Sequence, residues 1–351
     1  MAYTRSTTNR VRVGSLYIGH DDNVVVQAMT NTKTSDVVAT LQQIKQLCSI
    51  ENKICKIVRV SVLDQKDALA LKQIVKKSPC PIIADIHFNH QLAIQAIDAG
   101  VAKIRINPCN FPFDKLVTIV KLAKQKGVAI RIGFNDGANN TKQPISQIIA
   151  LIKKYVAVFE KYNFTQLIIS VKSSDVNRSV ALCKAVSQRF AYPQHIGLTE
   201  AGANVNAIVR STIALSEILK NNIGDTIRIS TNSSDICDQV KIASALLHEC
   251  RLNKNYIKLI CCPTCGRKQL NVQGFVEQFN KLRFNNIRKQ ITVAIMGCAV
   301  NGIGECQYAD IGVYGINNKQ VALYYRGKKI KTLLTNKAIN EIKKLVHKFN
   351  D

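Results

Sequence analysis

Two groups of residues in this 351-residue chain have types and spacings suited to chemistry. The first is a set of thiols near the C-terminus. Cys262-Pro-Thr-Cys265 places two cysteines on one tight turn, and Cys298 follows 33 positions later beside Gly297, Gly302 and Gly304, with Cys261 and Cys306 close by. Such a set admits a structural zinc if Cys306 completes the ligands, a redox dithiol at Cys262 and Cys265, or an iron–sulfur cluster with three thiolates and one other ligand. Glu305 is the candidate for that other ligand, because a carboxylate is harder and more labile on iron than a thiolate. Cys48, Cys55, Cys80, Cys183, Cys237 and Cys250 sit singly in apolar runs and read as small buried hydrophobes.

The second group is cationic and polar. It recurs at the C-terminal ends of short β-rich runs, with partners two residues apart and therefore on one face. Arg59 and Ser61, Asp85 and His87, Arg105 and Asn107, Ser170 and Lys172, and Arg228 and Ser230 follow this pattern, while Arg131 and Asn135 lie on and just after the fifth strand and Thr199 and Glu200 follow the seventh. A charge on a helix-covered face would be buried unpaired at a cost of several kcal/mol. Inward placement at a barrel mouth avoids that cost. Four Arg and one Lys converging from five strands, with few carboxylates to neutralise them, form a grip for a dianionic or diphosphate ligand.

The elements that must position these residues alternate in type. The strand candidates are Val24–Met29, Ile57–Val62, Pro81–Ile86, Lys103–Asn107, Ala129–Phe134, Gln166–Val171, His195–Leu198 and Thr226–Ser230. Amphipathic runs such as Asp36–Leu47, Asp64–Lys76, Phe113–Lys126, Ile145–Tyr162, Asn177–Phe190, Asn204–Lys220 and Asp235–Leu247 separate them. Asp36, Asp64 and Asp235 are N-cap candidates, and Gly100 and Gly127 are helix stops. Eight such units predict an α/β fold, a (β/α)8 TIM-type barrel over residues 1–250. An open doubly wound sheet is the weaker alternative, since no Gly-x-Gly-x-x-Gly turn follows the first strand. Residues 251–351 then form a small α+β domain. Its strand-like runs are Ile257–Ile260, Thr292–Met296, Ala309–Tyr314 and Val321–Tyr325, the first two lead into the cysteine loops, and a basic helix covers about Asn336 to Phe349.

Composition narrows the function classes. Apolar residues make up 46% and charged residues 21%, too apolar for disorder. No run of about 18 uncharged apolar residues exists and the first ten residues lack an apolar core, so a soluble cytoplasmic protein is expected. Net charge is +26. Heavy use of Lys, Asn and Ile reads as drift in an AT-rich bacterial genome, and no basic block with interleaved aromatics points to nucleic acid.

Nine ordered segments carry a resemblance. They are Gln27-Ala-Met-Thr-Asn-Thr32, Ala84-Asp-Ile-His-Phe88, Arg105-Ile-Asn-Pro108, Arg131-Ile-Gly133, Ser170-Val-Lys-Ser-Ser-Asp175, Gly197-Leu-Thr-Glu-Ala-Gly202, Gly224-Asp-Thr-Ile-Arg-Ile-Ser230, Cys262-Pro-Thr-Cys-Gly-Arg267 and Met296-Gly-Cys-Ala-Val-Asn-Gly-Ile-Gly-Glu305. From about Arg5 to Gly327 the chain resembles the 4-hydroxy-3-methylbut-2-enyl diphosphate synthase family in its two-domain bacterial form. The resemblance implies a barrel joined to a [4Fe-4S] domain. It implies reductive ring opening and dehydration of 2-C-methyl-D-erythritol 2,4-cyclodiphosphate in isoprenoid precursor synthesis, with electrons from flavodoxin or ferredoxin. A head-to-tail homodimer is implied too.

Carried over by position, the resemblance implies Cys262, Cys265, Cys298 and Glu305 as cluster ligands. Arg59, Arg105, Arg131, Lys172, Arg228 and Ser230 match diphosphate-binding positions, with His87, Asn107, Asn135 and Thr199 around them. Glu200 matches a catalytic carboxylate, and Asn301 lies next to the cluster. Ala28, Cys109, Asp136, Ala138 and Ile303 depart from the family pattern. Loss of glycine at Cys109 matters if that loop needs φ > 0, and loss of proline at Ile303 is expected to loosen the loop presenting Glu305. Two other classes stay in view: a non-catalytic iron–sulfur carrier, and a zinc-stabilised basic protein binding nucleic acid. The expectation is an enzyme with a small-molecule diphosphate partner and neither membrane nor nucleic acid.

Overall fold

The structure is a computed structural model describing residues 2–20, 23–50, 53–136, 143–253, 255–282, 284 and 287–350. It divides into two compact units, Met1–Leu252 and Asn253–Asp351.

The first unit opens with a hairpin of β1 (Val11–Val13) and β2 (Leu16–Ile18). The alternating part runs β3 (Val25–Met29), α1 (Val37–Cys48), β4 (Cys55–Val62), α2 (Gln65–Lys77), β5 (Ile82–Ile86), α3 (His90–Asp98), β6 (Lys103–Ile106) and α4 (Leu116–Lys126). It continues β7 (Ala129–Asn135), α5 (Ile145–Lys161), β8 (Leu167–Lys172), α6 (Val176–Ser187), β9 (His195–Ile196), α7 (Asn204–Lys220), β10 (Thr226–Ile227) and α8 (Asp238–Glu249). The strand order is β8-β7-β6-β5-β4-β3-β10-β9. A parallel bridge between Ile169 and Gln194 joins the two ends, so the sheet closes into a barrel. Every residue of β5, β6 and β8 is buried, as expected for parallel strands covered by helices outside and side chains inside.

Local chemistry sets the helix ends. The Asp36 and Asp64 carboxylates each accept a backbone N–H in the first turn of α1 and α2, at 3.0 Å. Gly127 ends α4 at φ +67°, a left-handed conformation that glycine adopts without strain. The hairpin is the barrel floor: Val11, Val13 and Ile18 pack on Ile57, Ile83, Ala129 and Ile168. These are the first inward positions of their strands. The next inward positions, two residues on, are polar, so the floor marks where the apolar interior gives way to the site.

The second unit has β11 (Ile257–Cys261), α9 (Val272–Lys281), β12 (Ile291–Met296), α10 (Ala299–Tyr308), β13 (Ile311–Asn317), β14 (Gln320–Tyr325), β15 (Lys328–Leu334) and α11 (Thr335–Asn350). Its sheet runs in that order, with β11, β12 and β13 parallel and the rest antiparallel. Period two divides the sheet faces. Val293, Ile295, Val313 and Leu323 meet α9 and α11 on one side, while Ala294, Met296, Tyr314 and Tyr324 form a smaller core with Cys306 of α10 on the other.

Several elements differ from the sequence expectation. The glycine-rich stretch after Cys298 is a helix, not a loop. Gly302 lets α10 lie against β13, where a Cβ would stand 2.6 Å from the Tyr314 Cβ. Packing therefore outweighs glycine's poor helix propensity. Helix α8 begins at Asp238 rather than Asp235, whose carboxylate instead accepts the Cys237 N–H at 2.9 Å in the turn before it. Helix α9 and strand β15 lie outside the sequence expectation: the first runs through Gly274, a poor helix former, and the second is a lysine-rich exposed edge.

Candidate active site

The polar tiers above the floor come from successive inward positions of the barrel strands. Arg59, Asp85, Arg105, Arg131, Ser170, Lys172 and Arg228 line a cavity of about 250 Å³ with His87, Gly133, Asn135, Leu198, Thr199, Glu200 and Ser230. Five cationic side chains thus face two carboxylates. Among the described residues only Asp85 pairs with them: its carboxylate lies 3.3 Å from Arg105 Nη1, 3.7 Å from Arg59 Nε and 3.8 Å from His87 Nε2. Burial alone would raise the Asp85 pKa, but attraction to Arg59, the His87 hydrogen bond and Arg105 hold it well below the usual carboxylate range.

The remaining cations are poorly matched by protein acceptors. Arg131 is 1% exposed, and among the described residues its Nε and Nη1 have no hydrogen-bond partner. Arg228 Nε is likewise without one. Arg59 directs Nη2 and Nε at the Met29 thioether, at 2.8 and 3.1 Å, a weak acceptor. Burial, joined by repulsion from Arg59, pulls Arg228 down to about 9 and holds Arg131 well below its ordinary value. Lys172 is depressed by burial and by Arg131, and among the described residues its one protein acceptor is His195 Nε2 at 3.4 Å. His195 is itself fixed by Thr226 Oγ1 at 2.7 Å from Nδ1. Buried donors in this excess stabilise a bound polyanion and are destabilising without one.

Two glycines make room for these cations. A Cβ on Gly133 would stand 2.7 Å from Arg105 Nε, and one on Gly197 would stand 2.7 Å from Lys172 Nζ and 2.8 Å from the Arg228 carbonyl oxygen. At the rim, Glu200 is exposed and holds φ +49°, a conformation that costs a non-glycine residue energy and that concentrates at functional sites. His87 lies 2.6 Å from Arg105 Nη1, with Asn110 Nδ2 3.2 Å from its other ring nitrogen. Asn107 is buried and its Oδ1 accepts the Cys109 N–H at 3.1 Å, so it shapes the loop after β6 and is not among the residues lining the cavity.

In the second unit, parallel register brings the thiols to one edge of the sheet. Cys262 follows β11 and Cys298 follows its neighbour β12, with Cys261 paired to Ile295 and the Cys262 N–H donating to the Ile295 carbonyl at 3.1 Å. Thr264, at φ +67°, turns its N–H onto Cys262 Sγ at 3.3 Å. Cys265 is exposed, and Cys262, Cys298 and Glu305 are half-buried. Cys298 is the N-cap residue of α10, and Asn301 and Glu305 follow three and seven residues later, on the same helix face. Cys306 does not belong to this set. It is fully buried against Gly312, and burial with the Glu305 charge pushes its thiol up to about 12. A tetrahedral zinc would draw four ligands to within about 2.3 Å of one point. Among the described residues no three His, Cys, Asp or Glu side chains converge closely enough for a single ion.

The family model described as the GcpE TIM-barrel domain matches residues 8–244, and that described as the GcpE protein C-terminal domain matches residues 258–348. The chain belongs to the GcpE family. It is 39% identical to the 4-hydroxy-3-methylbut-2-en-1-yl diphosphate synthase (flavodoxin) of Malacoplasma penetrans, over 97% of this chain and 95% of the relative. The protein of that name from Geobacillus thermodenitrificans is also 39% identical, over 98% and 92%. That of Clostridium perfringens is 38% identical, over 97% and 99%. Among solved structures, the 7,8-dihydropteroate synthase of Vibrio fischeri aligns at TM-score 0.52 over 70% of this chain and 99% of its own, at 11% identity, a likeness of fold alone.

Within this GcpE chain the departures find local explanations. Cys109 does not adopt a positive φ, so its loop does not need glycine. Asp136 is buried and pairs with Arg178 of α6, Nη2 lying 2.8 Å from Oδ1. Ile303 lies half-way along α10 with its side chain 43% exposed, so no proline is needed to shape a loop there. Ala28 is buried in β3. Ala138 lies outside the described residues. The sequence pattern puts Asp85 on the His87 face without giving it a role, and marks none of Lys103, Gln27 and His195 as site residues. Period two from Arg105 on the same strand is the signal that finds Lys103.

Proposed function

We propose that this chain converts 2-C-methyl-D-erythritol 2,4-cyclodiphosphate to 4-hydroxy-3-methylbut-2-en-1-yl diphosphate, taking up two electrons and two protons and releasing one water. The observation that carries the proposal is the cation-lined barrel mouth, where five cationic side chains, four from β4, β6, β7 and β8 and one just past β10, surround one cavity with unmatched donors. The names of the relatives supply the reaction class and the electron donor, flavodoxin, and the family resemblance adds ferredoxin as the alternative.

Arg59, Arg105, Arg131, Lys172 and Arg228 bind the diphosphate, with Ser230, Thr199 and Asn135 as neutral donors at the rim. Planar guanidinium forks fix orientation as well as charge, and holding the reactant in one pose lowers the entropic part of the barrier. His87 orders the Arg105 fork, and His195 orders Lys172. Glu200, at the mouth in a strained conformation, delivers a proton to the departing oxygen.

Cys262, Cys265, Cys298 and Glu305 are the proposed ligands of a [4Fe-4S] cluster, with Asn301 beside it. Their fit rests on thiols at the ends of adjacent parallel strands and on the Thr264 N–H aimed at sulfur. A cluster held there would supply electrons one at a time, with a labile carboxylate leaving one iron exchangeable. The proposal includes a head-to-tail homodimer, checked by mass in solution. It also includes residence in the cytoplasm, a reducing compartment that suits twelve free cysteines. No helix among the described residues is long and apolar enough to cross a membrane.

The test is anaerobic incubation of the cluster-loaded protein with the cyclodiphosphate and reduced flavodoxin, followed by mass spectrometry. The open-chain allylic diphosphate is the expected product. Failure to bind the cyclodiphosphate would overturn the assignment.

A further inference from the structure

One buried cation has no place in the mechanism above. Lys103 is the first residue of β6, on the inward face one period-two step below Arg105, and its Cα is registered with the floor residues Ile83 and Ala129. Its side chain is 0% exposed and its Nζ has no hydrogen-bond partner among the described residues. Gln27, at an inward position of β3, is equally buried with both amide atoms unmatched. The charged and titratable groups facing this interior are Arg59 from β4, Asp85 from β5, Arg131 from β7 and Lys172 from β8. Arg105 of its own strand, His195 of β9 and Arg228, just past β10, complete the set.

We infer that Lys103 is a proton-accepting counter-charge for the diphosphate: uncharged beneath the cation cluster beforehand, it takes one proton from solvent when the diphosphate binds above it. The inference rests on the proposed function for the identity of the ligand. Its physical basis is separate. An amine walled off from water and ringed by guanidinium groups is more stable uncharged, and arginines do not give up their protons, so a lysine must yield. Lys172 has the His195 acceptor, whereas Lys103 has none. Burial, with Arg131 and Arg59, holds Lys103 well below the ordinary lysine range. A ligand carrying negative charge reverses that repulsion and raises the amine's proton affinity. By linkage, the ligand binds more tightly as pH falls. Lys103 is thus a positioning residue that sets the charge of the site.

The experiment is calorimetric titration of the oxidised, cluster-loaded protein, without reductant, in buffers of differing ionisation enthalpy. Two probes are used in turn, the cyclodiphosphate and inorganic pyrophosphate. Wild type is expected to take up about one proton per site more than Lys103→Met, and its affinity to fall more steeply with rising pH, by up to about tenfold per pH unit. Lys103→Arg, whose charge is permanent, is expected to bind without that extra proton. Equal proton uptake by wild type and both variants overturns the inference and leaves the proposed function standing. Pyrophosphate showing the wild-type excess while the cyclodiphosphate fails to bind supports the inference and overturns the function. If neither probe binds, both are overturned.

Discussion

Arg105 lies across Gly133. Its Nη2 donates to the Gly133 carbonyl at 3.0 Å, and a Cβ added to Gly133 would stand 2.7 Å from its Nε. The glycine of Arg131-Ile-Gly133 is thus a recess cut for the cation of the neighbouring strand. Gly133→Ala is expected to displace Arg105 and weaken diphosphate binding about tenfold, equivalent to ~1.4 kcal/mol. Titration calorimetry beside thermal unfolding checks this, since a fall in melting temperature with unchanged affinity would contradict it.

Asp85 ties Arg105 to Arg59. Replacing it with Asn removes the carboxylate that holds both, and is expected to lower stability by about 3 kcal/mol, as for one lost member of a buried ion pair. The pH dependence has a definite sign. The folded pKa of Asp85 is depressed, so its contribution is present above the unfolded value near 4 and is lost as pH falls below it. Denaturant melts between about pH 3 and pH 6 should show wild type losing stability towards acid, and Asp85→Asn losing less over the same window.

Glu200 sits at the cavity rim with φ +49°. Glu200→Gln keeps size and hydrogen bonding but cannot release a proton. Turnover is expected to fall by about 100-fold or more while the dissociation constant for the cyclodiphosphate changes by less than about threefold. Steady-state rates beside calorimetry separate the two, and unchanged turnover would remove Glu200 from the mechanism.

Cys265 and Cys306 give opposite expectations. Cys265 is exposed on the Cys262-Pro-Thr-Cys265 turn, whereas Cys306 is packed against Gly312 and has a raised thiol pKa. After anaerobic reconstitution, Cys265→Ser should lose iron. Cys306→Ser should retain it at a cost of about 1–2 kcal/mol in stability, from a polar group buried in an apolar core. Metal analysis per chain decides, and loss of iron from Cys306→Ser alone would reassign the ligand set.

The barrel and its mouth were largely legible in the sequence because parallel strands with helices outside should be continuously apolar, and these were not. Arg59, Asp85, Arg105, Arg131 and Lys172 interrupt buried runs at period two, and only an inward polar site explains that. Lys103 is not legible as a site residue because it opens its strand, where the inward neighbours are the apolar floor residues Ile83 and Ala129. The segment after Cys298 was read as a loop from Gly302 and Gly304. Its helix depends on Gly302 fitting against Tyr314, a contact 12 residues distant that no local propensity encodes. Strand β15, with the sequence Lys-Lys-Ile-Lys-Thr-Leu-Leu, has the charge of a solvent-facing edge, and only its pairing with β14 defines it.

The claim at the centre is that a cation-lined barrel holds a cyclic diphosphate for reduction by an iron–sulfur cluster with one non-thiolate ligand. The most direct measurement is the visible spectrum, with iron and sulfide analysis, of protein purified anaerobically, before and after adding dithionite and the cyclodiphosphate. The account predicts iron and sulfide in [4Fe-4S] proportion, and absorption that bleaches on reduction and changes again when the cyclodiphosphate is added. A colourless protein carrying zinc or no metal at Cys262, Cys265 and Cys298 would contradict it.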